Sequence, residues 1–255
     1  MPTLPDYYSE LAPFVDQFAQ GLPSLCYHKI EKAPRGARIK GLYLSADLFA
    51  RQISELKNAG FHFVPPGLPA RTVSNRQISI TFDDGFVSNW KSAMPLMKEQ
   101  GCKAMNFLVA DRLGKSSDWE SLEGGEARPL MDDVQVREWL AEGNWIGAHT
   151  CTHPRLSQIP LTQAKEEILG SKKKLEDRFG ISIEHFAYPY GDYNSAVREA
   201  VCEAGFKTAS TMHRGVNTGE TSAWELKRWT ARYPTSNLKT LLRRIFPSLD
   251  IFQKG

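Results

Sequence analysis

Two short segments of the 255-residue sequence carry side chains whose types and spacing could do chemistry. The run 78–85, Ile-Ser-Ile-Thr-Phe-Asp-Asp-Gly, is mainly apolar until it reaches two adjacent carboxylates, Asp83 and Asp84. His149 and His153 are four residues apart after a second apolar run, and on one helical turn they would face the same way. Asp-Asp-Gly alone is a common turn sequence. One carboxylate with two neutral imidazoles, however, can bind a divalent metal ion and leave positions open for water and substrate.

The adjacent aspartates indicate a division of labour. On an extended or turning backbone, neighbouring side chains point in different directions, so one carboxylate can bind the ion while the other reaches ion-bound water. The ion lowers the pKa of that water to about 7, and a nearby carboxylate can remove its proton as it attacks a carbonyl. The residues alone therefore predict metal-assisted hydrolysis and leave open which aspartate does which.

The elements that must position these residues follow from the apolar pattern. Short apolar runs alternate with longer amphipathic stretches that end in glycine, which is typical of β/α folds. Strands are predicted over 22–28, 77–81, 103–109, 145–149, 185–188, 207–211 and 226–232. Helices are predicted over 45–58, 89–100, 132–142, 162–179, 194–204 and 237–246.

Seven strands alternating with helices predict an α/β fold whose parallel sheet closes into a barrel, with an open doubly wound sheet as the alternative. We expect one barrel domain over residues 21–255, after an N-terminal extension over residues 1–20. The polar groups that follow predicted strands are His28, Asp83, Asp84, His149, His153, Tyr190 and Arg228. Because a β/α barrel builds its active site where its strands end, fold and site support each other.

Composition narrows the classes of partner. The 32 basic and 29 acidic side chains are mixed along the chain, without the basic stripe typical of nucleic-acid binding, so we expect no nucleic-acid partner. The four cysteines show no Cys-x-x-Cys spacing, which argues against a zinc ribbon and a disulfide scaffold.

The two ends of the sequence indicate where in the cell the protein is expected. The first residues lack the basic start and apolar run of a signal peptide, and no apolar stretch of about 18 residues occurs, so a cytoplasmic protein is expected. The segment 238–246 carries Lys239, Arg243 and Arg244 beside apolar residues. It is predicted either to contact an anionic membrane surface peripherally or to pack as an outer barrel helix.

Three motifs carry a family resemblance. Thr81-Phe-Asp-Asp-Gly85 and His149-Thr-Cys-Thr-His-Pro154 resemble the first two motifs of the NodB-like polysaccharide deacetylases, of the carbohydrate esterase family 4 type, and Phe186-Ala-Tyr-Pro-Tyr-Gly191 resembles the third. The resemblance implies a distorted (β/α) barrel of about seven strands. It also implies removal of acetyl groups from chitin-like, peptidoglycan-like or xylan-like glycans.

The resemblance also implies roles for individual residues. Asp83 would be the general base, and Asp84, His149 and His153 would be the ligands of one divalent ion. Zinc is the expected metal, with Co, Ni, Fe or Mn as alternatives. A backbone amide near Tyr190, in the turn that begins at Pro189, would donate to the oxyanion, with the turn fixing its direction.

The sequence departs from the family pattern at two points. Ala187 stands where the third motif usually carries an arginine that braces the base, and Arg228 is a candidate replacement, with a purely structural arginine as the alternative. The C-terminal Leu-x-x-His that often supplies a general acid is missing, because no histidine follows His213. Cys26-Tyr27-His28-Lys29 resembles the branch that includes poly-N-acetylglucosamine deacetylases, which makes His28 the expected acid and His213 the reserve.

The sequence thus predicts a metal-dependent hydrolase that removes N-acetyl groups from an amino sugar. The expected partner is an N-acetylated glycan or a lipid-linked oligosaccharide. An O-acetyl esterase is the alternative among enzymes, because the same metal and base attack esters. A sugar-binding pseudoenzyme is the alternative outside them.

Overall fold

The structure is a computed structural model that describes residues 4–35, 37–67 and 76–232. Its strands are β1 (Leu22–Tyr27), β2 (Lys29–Ile30), β3 (Tyr43–Leu44), β4 (His62–Phe63), β5 (Gln77–Phe82), β6 (Met105–Leu108), β7 (Trp145–Ala148), β8 (His185–Ala187), β9 (Thr208–Ser210), β10 (Val216–Asn217) and β11 (Trp229–Thr230). Its α-helices are α1 (Val15–Phe18), α2 (Ala46–Asn58), α3 (Met94–Gln100), α4 (Asp118–Leu122), α5 (Asp133–Ala141), α6 (Leu161–Phe179) and α7 (Ser195–Glu203). The predicted helix 237–246, with the membrane contact assigned to it, lies outside the described residues.

One curled sheet of nine strands organises the molecule. Its order is β10-β1-β5-β6-β7-β8-β9, with β4 also paired to β5 and β11 to β1. Every one of these pairings is parallel except that between β10 and β1. The carboxyl ends of the central strands therefore meet at one edge of the sheet.

The segment after β10 closes the sheet on itself. Leu226 forms a single parallel bridge with Ser210 of β9, and three residues later β11 pairs with β1, so the chain between them links the two ends of the sheet. The predicted α/β fold, a distorted barrel of about seven parallel strands, is confirmed. The predicted strand 226–232 is shorter than expected, because this segment changes partner from β9 to β1. Arg228 accordingly precedes a strand and does not end one.

The helix starts follow the capping signals of the sequence. The side chains of Ser45, Asp132 and Asn194 each accept a hydrogen bond from a backbone amide three residues later. The predicted helix 89–100 is divided into a π-helical turn over Asn89–Ala93 and the helix α3. Pro95 has no backbone N–H to continue the hydrogen-bond ladder, which accounts for the change of helical geometry.

The core lies between the curled sheet and its covering helices. Phe82 at the end of β5 contacts the rings of Tyr27 and Phe49 on one side and packs edge-on against Trp139 of α5. Phe14, from the predicted N-terminal extension, is fully buried, with its ring centroid 5.0 Å from that of Trp229 in β11. The strands that carry the polar edge are thus fixed by packing on both sides.

None of the described helices combines the length and apolar character that crossing a bilayer requires. All four cysteines are free thiols, three of them buried and Cys202 exposed.

Candidate active site

The strand ends bring the predicted chemical groups to one cavity. His28 follows β1, Asp83 and Asp84 follow β5, and His149 follows β7. The cavity has a volume of about 600 Å³. Its lining includes His28, Asp83, Asp84, His149, His153 and Tyr190. With Tyr190, which follows β8, groups from four separate strand ends therefore share one space.

Asp84, His149 and His153 form a compact group of potential metal ligands. Asp84 Oδ1 lies 3.5 Å from His149 Nε2 and 3.2 Å from His153 Nε2, and all three residues are buried. His149 Nδ1 is 2.7 Å from the carbonyl oxygen of Ala187, so the ring donates there and turns Nε2 toward Asp84. Within the described chain, the buried Asp84 Oδ1 has no hydrogen-bond donor. This donor set fits a divalent cation.

The directions in which the pKa values of Asp84 and His153 are shifted agree with metal binding. Burial raises the pKa of Asp84, but the imidazole rings of His149 and His153 beside its Oδ1 outweigh that effect and hold the pKa of the carboxyl well below its usual range. Burial lowers the pKa of His153 despite the nearby Asp84, which favours the neutral imidazole that binds metals.

The predicted helical turn between the two histidines is wrong. Residues 149–153 form a loop in which Thr150 and His153 have φ angles of 66° and 70°. Left-handed backbone cannot continue a right-handed helix. The Thr150 hydroxyl accepts from the His153 amide and stabilises this loop.

Backbone strain is concentrated at the site. In the described part of the chain, four residues other than glycine have positive φ: Asp84, Thr150, His153 and Tyr190. Such conformations cost about 1–3 kcal/mol each and persist where the surrounding structure enforces them. The fold therefore holds this edge in a specific geometry that local preferences oppose.

Arg228 lies directly against Asp83. Its Nη1 donates to Oδ1 at 2.7 Å and its Nη2 to Oδ2 at 2.8 Å, and both side chains are buried. Burial raises the pKa of Asp83, but the charge of Arg228 outweighs it and lowers the pKa to about 2. The Cys26 thiol also donates to Asp83 Oδ2, at 3.4 Å. Asp83 is thus an aligned, ionised carboxylate beside the ligand group.

The two histidines considered as the acid differ in position. His28 Nε2 lies 3.9 Å from Asp83 Oδ2 and faces the cavity, and burial lowers its pKa. His213 is exposed and does not line the cavity. Of the two, only His28 is near the reacting groups.

The turn after β8 completes the wall of the cavity. Pro189 is buried, and Tyr190, with φ of 60°, directs its ring against His153 at a centroid distance of 4.6 Å. The guanidinium of Arg155 covers the Tyr190 ring at 3.8 Å.

Several residues of the site escaped the sequence prediction. Trp119 of α4 stacks on His153 with ring centroids 4.4 Å apart. Glu120, next to it, pairs with the buried Lys29, whose ammonium also lies 4.6 Å from the centre of the Tyr43 ring. This pair ties α4 to β2 and so fixes Trp119 over His153. No spacing or motif signals these contacts, because they join separate segments of the chain, which lie 91 residues apart for Lys29 and Glu120.

Comparison with known proteins identifies the family. The polysaccharide deacetylase family model matches residues 70–209, which is more than half of the chain. The chain belongs to the polysaccharide deacetylase family. The resemblance seen in the motifs is therefore confirmed.

Individual relatives cover most of the chain. It is 23% identical over 225 residues to the poly-beta-1,6-N-acetyl-D-glucosamine N-deacetylase of Staphylococcus aureus, covering 80% of this chain and 77% of the relative. The structure of the Streptococcus pyogenes deacetylase PplD, in complex with acetate, matches with a TM-score of 0.71 and 25% identity over 88% of this chain and 97% of PplD. The structure of IcaB from Ammonifex degensii matches with a TM-score of 0.72 and 25% identity over 85% of this chain and 94% of IcaB.

Proposed function

We propose that this polysaccharide deacetylase is a metal-dependent hydrolase that removes N-acetyl groups from an amino sugar in a glycan. The observation that carries the proposal is the buried Asp84 Oδ1, which has no hydrogen-bond donor in the described chain and faces the Nε2 atoms of His149 and His153. Zinc suits this donor set best, with Co, Ni, Fe or Mn as alternatives. When bound, a divalent ion would polarise the acetyl carbonyl and acidify the attacking water.

The residues of the chain divide the remaining work. Asp83, held by Arg228 beside the ligand group, takes the proton of the attacking water. Backbone amides of the turn at Tyr190 donate to the oxyanion that forms on the acetyl carbonyl. His28, which lines the same cavity, protonates the leaving amine.

The arginine pairing supports an enzyme over a pseudoenzyme. The missing motif arginine at position 187 left open whether the base is braced. Arg228 supplies two charge-assisted hydrogen bonds to Asp83 from another part of the chain. The groups that hydrolysis needs are therefore present together.

The name of the Staphylococcus aureus relative supports an N-acetylglucosamine polymer as the class of substrate. Tyr190, which lines the cavity and is half-buried, offers aromatic surface to a sugar ring. The lipid-linked oligosaccharide and the membrane contact predicted from the sequence gain no support from the comparisons.

Acetate release tests the proposal. The purified protein is incubated with N-acetylglucosamine oligomers and with O-acetylated xylan, each with and without a chelator. We expect release from the N-acetylated oligomers that the chelator abolishes and that added zinc or cobalt restores. Release from O-acetylated xylan alone would assign the esterase activity. Release that chelation leaves unchanged would overturn the metal dependence.

A further inference from the structure

The helix α6 places a buried carboxylate behind the loop that carries His149 and His153. Glu167 Oε2 accepts from the backbone amides of Cys151 at 2.8 Å and Thr152 at 2.9 Å, and its Oε1 accepts from the Thr152 hydroxyl at 2.6 Å. Glu167 is only 8% exposed, and none of the ion pairs among the described residues involves it. The hydrogen-bond donors of the loop are therefore the main groups that compensate the Glu167 carboxylate for its loss of contact with water.

The loop needs such support because its backbone is strained. Thr150 and His153, on either side of the two bonded amides, have left-handed φ angles that residues other than glycine rarely adopt. A carboxylate that accepts two successive amides favours this turned backbone, because it holds both N–H groups on one side. Gly170, one turn further along α6, lies so close that a Cβ there would come 3.1 Å from Cys151 Sγ. The helix thus packs directly against the loop at two points.

The two histidines depend on this support to different degrees. The ring of His149 is oriented by its own hydrogen bond to the Ala187 carbonyl. In the described chain, the buried Nδ1 of His153 has no hydrogen-bond partner, and its ring stacks on Trp119 and packs edge-on against Tyr190. Neither contact gives the ring a directional bond at Nδ1, as the Ala187 carbonyl does for His149. The position of His153 Nε2 therefore depends on the loop backbone.

We propose that Glu167 is a positioning residue that sets His153 for metal binding through the amides of Cys151 and Thr152. This inference rests on the metal site of the proposed function. A group that orients a ligand without touching the ion typically contributes 10–100-fold to metal affinity.

The test is the dissociation constant for Co²⁺ and Zn²⁺, measured by competition with a chromophoric chelator at a temperature where each variant is folded. We expect Glu167→Ala to weaken affinity about 10–100-fold. Glu167→Gln should stay within about threefold of the unsubstituted chain, because its amide oxygen can still accept both N–H groups. Glu166→Ala, which removes the neighbouring exposed carboxylate from the same helix, is the matched control and should leave affinity unchanged.

The outcomes separate this role from a contribution to folding alone. A folded Glu167→Ala chain that binds metal as tightly as the unsubstituted protein overturns the inference and leaves the proposed function standing. If Glu167→Ala does not fold, Glu167→Asp decides, because its shorter side chain keeps the charge but withdraws the oxygens from the amides. We expect it to weaken binding at least about fivefold, and unchanged affinity overturns the inference. An unsubstituted chain without measurable affinity overturns the proposed function and this inference together.

Discussion

Arg228→Met removes the cation that lies against Asp83 and keeps much of the side-chain volume. The low pKa of Asp83, about 2 against an ordinary 3.8, corresponds to roughly 2 kcal/mol of stabilisation of the ionised form. Breaking a buried pair by removing one partner costs about 3–5 kcal/mol, because the other charge is left uncompensated. The expected loss is therefore about 2–5 kcal/mol, which lowers Tm by roughly 4–20 °C in a chain of this size.

A double-mutant cycle with Asp83→Asn isolates the pair. In the Asp83→Asn background Arg228 has already lost its charged partner, so Arg228→Met should cost at least about 2 kcal/mol less there. The unfolding free energies of the unsubstituted chain, the two single variants and the double variant are measured by denaturant titration at neutral pH. An equal cost of Arg228→Met in the two backgrounds would show that the pair does not stabilise the fold as argued.

The pair also predicts the response to acid. Because the pKa of Asp83 is lowered in the folded state, its contribution is present above the unfolded pKa of about 4 and is lost as pH falls toward 2. The unsubstituted protein should therefore lose more stability across that window than Arg228→Met. Thermal melts at pH 5 and pH 2.5 measure the difference.

Two further substitutions test the roles of the reacting groups. Asp83→Asn should lower kcat for deacetylation by about two or more orders of magnitude without changing metal affinity. If Asp83→Asn lost the metal while Asp84→Asn kept it, Asp83 would be the metal ligand and Asp84 the base. His28→Ala should depress amide hydrolysis far more than hydrolysis of an activated aryl acetate, whose leaving group needs no proton. His213→Ala, an exposed histidine outside the cavity lining, is its control, and an equal loss on both substrates in His28→Ala would remove His28 from the role of acid.

The sequence predicted what depends on local pattern. The strand that precedes Asp83 and the helix that begins after Ser45 were predictable, because apolar periodicity and capping residues act within a few positions. The parallel strand ends then required His149 and Asp84 to meet at one edge.

Non-local and strained features could not be predicted in this way. Arg228 reaches Asp83 across 145 residues because its segment changes partner between two strands, which periodicity does not reveal. The loop through Thr150 has a positive φ that local preference opposes. The contact that supports it comes from Glu167 of α6, which lies outside the loop. The roles of the site residues and the cytoplasmic location stay predictions.

Elemental analysis of the purified protein and its ligand variants tests the central claim most directly. The unsubstituted protein should carry about one divalent transition-metal ion per chain after zinc loading and gel filtration, because one carboxylate and two imidazoles make one site. Asp84→Ala, His149→Ala and His153→Ala should each lose the ion and the release of acetate from N-acetylglucosamine oligomers, with His213→Ala retaining both. A folded His149→Ala protein that kept stoichiometric metal and full acetate release would contradict the account.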